Sequence, residues 1–444
     1  MRRVSILFFS FFVLFFSSET LSQTPAAAPV RRIYIILDQP SAERKFPIAV
    51  PDLLYTKKTN DKENFAVRIP DVIRNDLKLA GYFNVLDKNG FPENPGPGLS
   101  AQEIDFKKWT STGAEALVKG GIHLDGKNIV LELRLFDPHT GEMLVGKEYK
   151  VKKDGYRAAA HRFMDEIMLA LTGEKGVFST KITAACGKVG QREIVIMDVD
   201  GENRVPVTKN GTINVSPDWS RDGTQIAFTS YAKYFPEIFL SQTDGKGKPK
   251  RVTFNNAMNL TPAWVPDGSG LTLSSSMSGE PEIYLIDARG KTLAQLTRGH
   301  GIDIGATWSP DSQHLIFASE RSGNLHLFSM DRNGANVKRL TYSGYQNDQA
   351  DWSPKGDKVA FAGREGGGFD IFTMNADGSL IQRLTSGAGS NESPSYSPDA
   401  RYIVYSHKRA NKNDLYLMLW EGSNQVQITN TGDCVNPDWS PWLQ

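Results

Sequence analysis

Charge of one sign is missing from this chain: 51 Lys and Arg face 50 Asp and Glu, a formal net charge of +1. A nucleic-acid partner is therefore not expected, because such binding calls for a basic patch or stripe. Long apolar runs are missing too, apart from one at the N-terminus, so no later segment is expected to span a membrane. Catalytic signatures are absent: there is no G-x-S-x-G elbow, no H-E-x-x-H and no P-loop. The seven histidines (123, 139, 161, 300, 314, 326 and 407) show no metal-ligand spacing, so no metal and no cofactor are expected. Cysteine is limited to Cys186 and Cys434. A chain of 444 residues with 40 Gly and 23 Pro is too long for one ordinary domain and rich in turns.

The one long apolar run, Val4–Phe16, follows Arg2 and Arg3 and precedes the small or polar stretch 17–22. This is the layout of a secretory signal peptide over 1–22, with cleavage after Ser22 or within 26–28. No Cys follows the run, so lipid attachment is not expected. The mature chain is read as exported and not inserted in a membrane.

A repeat decides the architecture of the C-terminal half. Pro217-Asp218-Trp219-Ser220-Arg221-Asp222-Gly223 returns around Trp264, Trp308, Trp352, Tyr396 and Trp439, at a period of 43 to 45 residues. Each aromatic is followed by an Asp-Gly-type turn and a short apolar strand such as 226–228 or 359–361. A second strand (237–240, 370–373) and an edge strand ending in Thr (251–253, 383–385) come next. Four strands in about 44 residues is the size of a propeller blade. The sixth motif has no strands after it, whereas 178–208 supplies strands with no motif before them. The last strand should therefore complete the blade begun near 177 and leave no open edge. Cys434 would then open the innermost strand of that blade and Cys186 end its neighbour; the pair can be bonded or remain two free thiols.

Residues 33–172 read as α/β: a strand at 33–37, a helix from Pro70 to Gly81, a short helix at 106–113, strands at 116–120, 129–135 and 143–151, and a closing helix at 158–171. The fold class expected is an α+β N-terminal domain followed by an all-β six-bladed β-propeller. The organisation is a signal peptide (1–22), a flexible segment (23–32), the first domain (33–172) and the propeller (177–444).

Three residues before the Pro or Ala of each aromatic motif stand Asn214, Asn259, Asp303, Asn347 and Asn391; the sixth place is Cys434. In a closed ring these positions gather at one mouth of the channel, on the face away from the Asp-Gly hairpins. They can be Asx turns that start strands, or a rim of donors and acceptors for a partner or an ion. On the second reading, bulky charged residues at Asn259, Thr261 and Asp303 would weaken partner capture and change stability by less than ~1 kcal/mol.

The blade motifs, the preceding α/β domain, the export signal, Ile73-Arg74-Asn75-Asp76-Leu77 through Gly81-Tyr82-Phe83-Asn84, and the ending Pro437-Asp438-Trp439-Ser440-Pro441-Trp442-Leu443 together resemble the TolB family, periplasmic members of the Tol–Pal system. The resemblance implies a monomeric, non-enzymatic adaptor in the periplasm. It would bind the lipoprotein Pal at the propeller mouth and TolA through the mature N-terminus, and support outer-membrane integrity during division. Carried over by the Pro-x-aromatic motif, the Pal-binding positions fall on Met258, Thr261 and Ile304. Segment 23–32 is rich in Ala and Pro and departs from the family's TolA-binding pattern. Two other functions remain open: a ligand- or glycan-binding propeller, and a propeller accessory to a hydrolase, which would need a nucleophile elbow.

Overall fold

The computed structural model describes Ile35 and residues 45–443 apart from Thr59 and His300. The signal peptide, segment 23–32, His300 and the strand expected at 33–37, save Ile35, lie outside the described residues.

The first domain runs β1 (Phe46–Ala49), β2 (Leu54–Tyr55), α1 (Phe65–Ala80), β3 (Phe83–Val85), α2 (Phe106–Thr110), β4 (Ala116–Asp125), β5 (Asn128–Phe136), β6 (Met143–Lys152) and α3 (Tyr156–Thr172). Its sheet has the order β3-β1-β4-β5-β6, with β2 paired to β4. Phe163, Ile167 and Leu171 of α3 are fully buried, the stripe that their spacing demands. Helix α1 differs from expectation. It starts at Phe65, so Pro70 lies inside it. Proline has no N–H to give the Ala66 carbonyl. The amide of Leu53 fills that place at 2.8 Å, so the proline is tolerated.

The rest is a ring of six four-stranded antiparallel sheets. Blades I to V begin with the inner strands Asn214–Trp219, Asn259–Trp264, Asp303–Trp308, Gln346–Trp352 and Ser390–Tyr396. Blade VI joins Cys434–Trp439 to Lys181–Cys186, Glu193–Asp198 and Val205–Pro206. Its register sets Cys434 opposite Cys186, and the two are disulfide-bonded with a Cα–Cα distance of 4.1 Å. The hairpins after the inner strands are held by turn chemistry: Ser220, Ser309 and Ser397 donate to Asp222, Asp311 and Asp399 at 2.7, 2.5 and 2.5 Å.

The first domain packs on the hairpin side of blades V and VI. The Tyr402 hydroxyl donates to the Ala80 carbonyl at 3.3 Å, and Asn424 Nδ2 to that of Leu79 at 3.1 Å. The Asp165 carboxylate accepts the amides of Phe178 and Ser179. Between the two domains, His161 of α3 lies between Asp76 of α1 (2.7 Å) and Asp198 of blade VI (3.3 Å).

Candidate functional site

Among the described residues, the contacts of the first domain given above all lie away from the opposite face of the propeller, where the inner strands start. The five Asn and Asp residues at those starts do not form an open rim. Asn214, Asn259 and Asp303 have no exposed surface, and Asn347 and Asn391 keep only 5% and 6%. Their side chains are used up in internal hydrogen bonds, and three of them fasten one blade to the next. Asn214 Nδ2 donates to Glu193 of blade VI at 3.1 Å, and Asn391 Nδ2 to Asp370 of blade IV at 3.1 Å. Asn347 meets His326 of blade III at 3.1 Å. Each of these third-strand residues is also bonded to the Thr of its own outer strand, as in Thr385 to Asp370 at 2.9 Å and Thr341 to His326 at 3.2 Å. Asn259 instead bonds Asn255 and the Ala257 carbonyl, and Asp303 is paired with Arg321 at 2.8 Å. A buried polar group left without such partners would cost about 1–3 kcal/mol. Charged replacements at Asn259 and Asp303 are therefore not neutral for stability, contrary to the expectation from sequence.

A polar ring does line this mouth, two residues further along each inner strand. Ser216, Thr261, Gly305, Gln349, Ser393 and Asn436 all have positive φ, between 47° and 63°. Each sits where the inner strand bulges against its neighbour, between Val215 and Asp218 in blade I and between Leu260 and Ala263 in blade II. The bulge re-aims the residue, and all six line a cavity of about 250 Å³ that also takes in Ile304 and Asp348. The Ser393 amide donates to Gln349 Oε1 at 2.7 Å, and Asn436 Nδ2 to Ser393 Oγ at 2.9 Å. Of the residues expected from sequence, Thr261 and Ile304 line the cavity, and Met258 is 41% exposed in the loop before blade II. The other ring members were missed because their residue types vary. Their constant offset, three residues before each aromatic, was the signal that could have found them.

Several loops at this end expose apolar side chains. Among the described residues six aromatics are exposed, and five of them, Tyr231, Tyr234, Phe254, Tyr342 and Tyr345, lie in loops at this end of the propeller. Tyr234 is 94% exposed. Exposed apolar patches rimmed by polar groups mark interaction sites, and aromatic anchors dominate interface energetics.

Deeper in the channel, Asp218, Asp351 and Asp438 converge. The first two lend a carboxylate oxygen to the backbone amide of the next blade's aromatic, Trp264 or Tyr396, at 2.7 Å. Burial pushes Asp351 up to about 7 despite that hydrogen bond, with Asp438 adding to the shift. Asp218 and Asp438 are raised by the same burial. At the mouth, burial also lifts Asp348 to about 6. Three such carboxyls can share protons or hold a cation. Among the described residues no constellation of nucleophile, base and oxyanion donors is found at either mouth.

Residues 169–443 match the family model described as TolB beta propeller domain, and 36–144 that of the TolB amino-terminal domain. A Tol-Pal system protein TolB of Desulfosudis oleivorans is 35% identical over 225 residues, 50% of this chain and 51% of that protein. The protein of that name from Syntrophus aciditrophicus is 36% identical over 227 residues, 50% of each. The aligned part of the chain thus spans about half the length of the curated relatives it matches. The crystal structure of TolB from Acinetobacter baumannii superposes with a TM-score of 0.76 at 25% identity, over 90% of this chain and 98% of that one.

Proposed function

The chain belongs to the TolB family, and from that premise we propose that it is a periplasmic, non-enzymatic adaptor of a Tol–Pal system that docks the lipoprotein Pal on the free mouth of its propeller. One observation carries this reading: five of the six exposed aromatics among the described residues lie in loops at that end of the propeller, opposite the face that the first domain covers. Around the 250 Å³ cavity they would supply apolar anchors, and Ser216, Thr261, Gln349, Ser393 and Asn436 a set of donors and acceptors. That is the composition of a docking surface, an apolar patch with orienting polar groups. TolA is the second proposed partner, through segment 23–32, and a role in envelope integrity during division follows from both partnerships. Localisation to the periplasm rests on the export signal over 1–22. Among the described residues no helix is long and apolar enough to cross a membrane.

The test is capture of purified Pal by the full chain in titration calorimetry. Tyr234→Ser, Phe254→Ser and Met258→Glu together should weaken capture at least ten-fold while leaving the unfolding midpoint in place. Full affinity in the triple variant would overturn the choice of face, and no binding of Pal by the parent chain would overturn the choice of partner.

A further inference from the structure

On the hairpin side, blade IV departs from its repeat. Its turn carries Lys355 where the other blades with this hairpin carry Asp222, Asp267, Asp311 and Asp399. The next blade departs as well, with Tyr396 where the other five have tryptophan. Turn chemistry explains neither change, because an Asp in this place closes the turn by accepting from the Ser hydroxyl in blades I, III and V. The two departures meet at one cavity of about 190 Å³ between blades IV and V, lined by Lys355, Lys358, Asp357, Tyr396, Arg401 and Trp420 among others. This is far more than the about 10–15 Å³ that admits one water.

Two of its lining side chains hold buried polar atoms with no hydrogen-bond partner: the Tyr396 hydroxyl, on a residue only 5% exposed, and Arg401 Nη1, on a residue 8% exposed. Buried donors of this kind are normally satisfied, so a pair in one cavity calls for an occupant. The charge balance selects its sign. Two ammonium groups and a guanidinium face one lining carboxylate, Asp357, already engaged by Ser353 Oγ at 3.1 Å, and a second behind it, Asp399, 3.6 Å from Arg401 Nη1, so positive charge remains in excess. The remaining cation contacts leave capacity. Lys358 Nζ lies over the Trp420 ring at 5.4 Å and donates to Asn375 at 3.3 Å. Arg401 has only longer ion pairs, 3.4 Å to Glu174 and 3.6 Å to Asp399.

We propose that this cavity between blades IV and V is a phosphate-binding site, built from Lys355, Lys358, Arg401 and the Tyr396 hydroxyl. A phosphate offers enough acceptor oxygens to take all four donors at once, which a carboxylate with two oxygens does less well, and its charge offsets the positive excess.

The experiment is titration of inorganic phosphate into the full chain at low ionic strength, with acetate and glycerol 1-phosphate as comparison ligands. One saturable phosphate site is expected, at least ten-fold tighter than acetate. Lys355→Asp restores the residue of the other blades, so the fold is kept, and it should weaken phosphate at least ten-fold. Tyr396→Phe should weaken it several-fold while leaving the ligand-free unfolding midpoint equal or higher, a result that a purely structural tyrosine would not give. Tighter binding of glycerol 1-phosphate would assign the site to an ester-borne phosphate such as a lipid headgroup, and tighter binding of inorganic phosphate to the free ion. Absence of saturable binding, equal affinity for acetate, or unchanged affinity in Lys355→Asp would overturn the proposal.

Discussion

The carboxylate of Asp438 accepts the backbone amide of Trp219 at 2.8 Å, although 219 residues separate them. The chain's last strand is thereby tied to blade I as well as to blade VI. Asp218 and Asp351 make the same reach to Trp264 and Tyr396. The ring is thus closed from inside the channel by carboxyl groups that burial makes reluctant to ionise.

A pH dependence follows. Asp351 is raised from 3.8 to about 7 by burial, helped by Asp438. A raised carboxyl binds its proton more tightly in the folded state, so its contribution to stability is greatest at low pH and falls as pH rises from about 4 to about 7. Asn can accept the same amide but cannot ionise. Asp351→Asn should match the parent at about pH 3 and exceed it at about pH 8 by about 1–3 kcal/mol, relaxation around the charge holding the gain below that of the full shift. Urea unfolding at the two pH values checks this; a variant that is less stable at pH 8 would show that the charged form is the favoured one.

The blades were legible in sequence because their signals are local. An aromatic, a Ser and an Asp within a few residues make one turn, and Trp219 through Trp439 repeat it. Burial of the Asn positions was not legible, because the partner of Asn214 is Glu193, in another blade and 21 residues away. An Asn that opens a strand looks the same in sequence whether it faces water or a neighbouring blade. The mouth ring was hidden for another reason. Positive φ is a property of the bulge, and Ser216, Gln349 and Asn436 share no side-chain chemistry that would announce it. In the first domain, the start of α1 was misplaced because Pro70 looked like a first-turn residue, and its compensation by Leu53 comes from outside the helix.

The Cys186–Cys434 bond closes a loop with a sequence separation of 248. Cross-linking so long a loop restricts the unfolded chain, and native disulfides typically contribute about 2–5 kcal/mol. Changing both residues to Ala should cost about that much in denaturant unfolding without changing the folded far-UV spectrum. Reduction of the parent chain should give the same loss. An unchanged midpoint would mean that the channel carboxylates and strand pairing suffice to close the ring.

His161 links the domains through charge. Burial alone would push its ring towards the neutral form, but the charge of Asp76 and hydrogen bonds with Asp198 and Asp76 outweigh it and raise the group to about 10. Its contribution is therefore complete below about pH 6.5 and is lost as pH rises through about 10. His161→Gln leaves Asp76, fully buried, without its cation. Removing one member of a buried pair costs about 3–5 kcal/mol. The variant should lose roughly that at pH 7, and little of its remaining stability should vanish between pH 8 and 10.5, where the parent declines. Denaturant titrations across that range decide it.

The interblade fasteners and the mouth residues should separate cleanly in mutation. Asn391 donates to Asp370 at 3.1 Å, and its carbonyl oxygen meets His407 Nδ1 at 2.8 Å, all within a closed seam. Asn391→Ala strips both contacts and should lower stability by about 1–3 kcal/mol. Met258, 41% exposed, holds no such seam, and Met258→Glu should stay within about 0.5 kcal/mol of the parent. For Pal capture the order reverses. Met258→Glu adds charge to the proposed docking face and should weaken capture, whereas Asn391→Ala, measured well below its unfolding midpoint, should retain it. Thermal unfolding and calorimetric titration on the same samples give both numbers. Loss of capture in Asn391→Ala at a temperature where it is folded would mean that the seam shapes the mouth, and that the buried ring bears on binding after all.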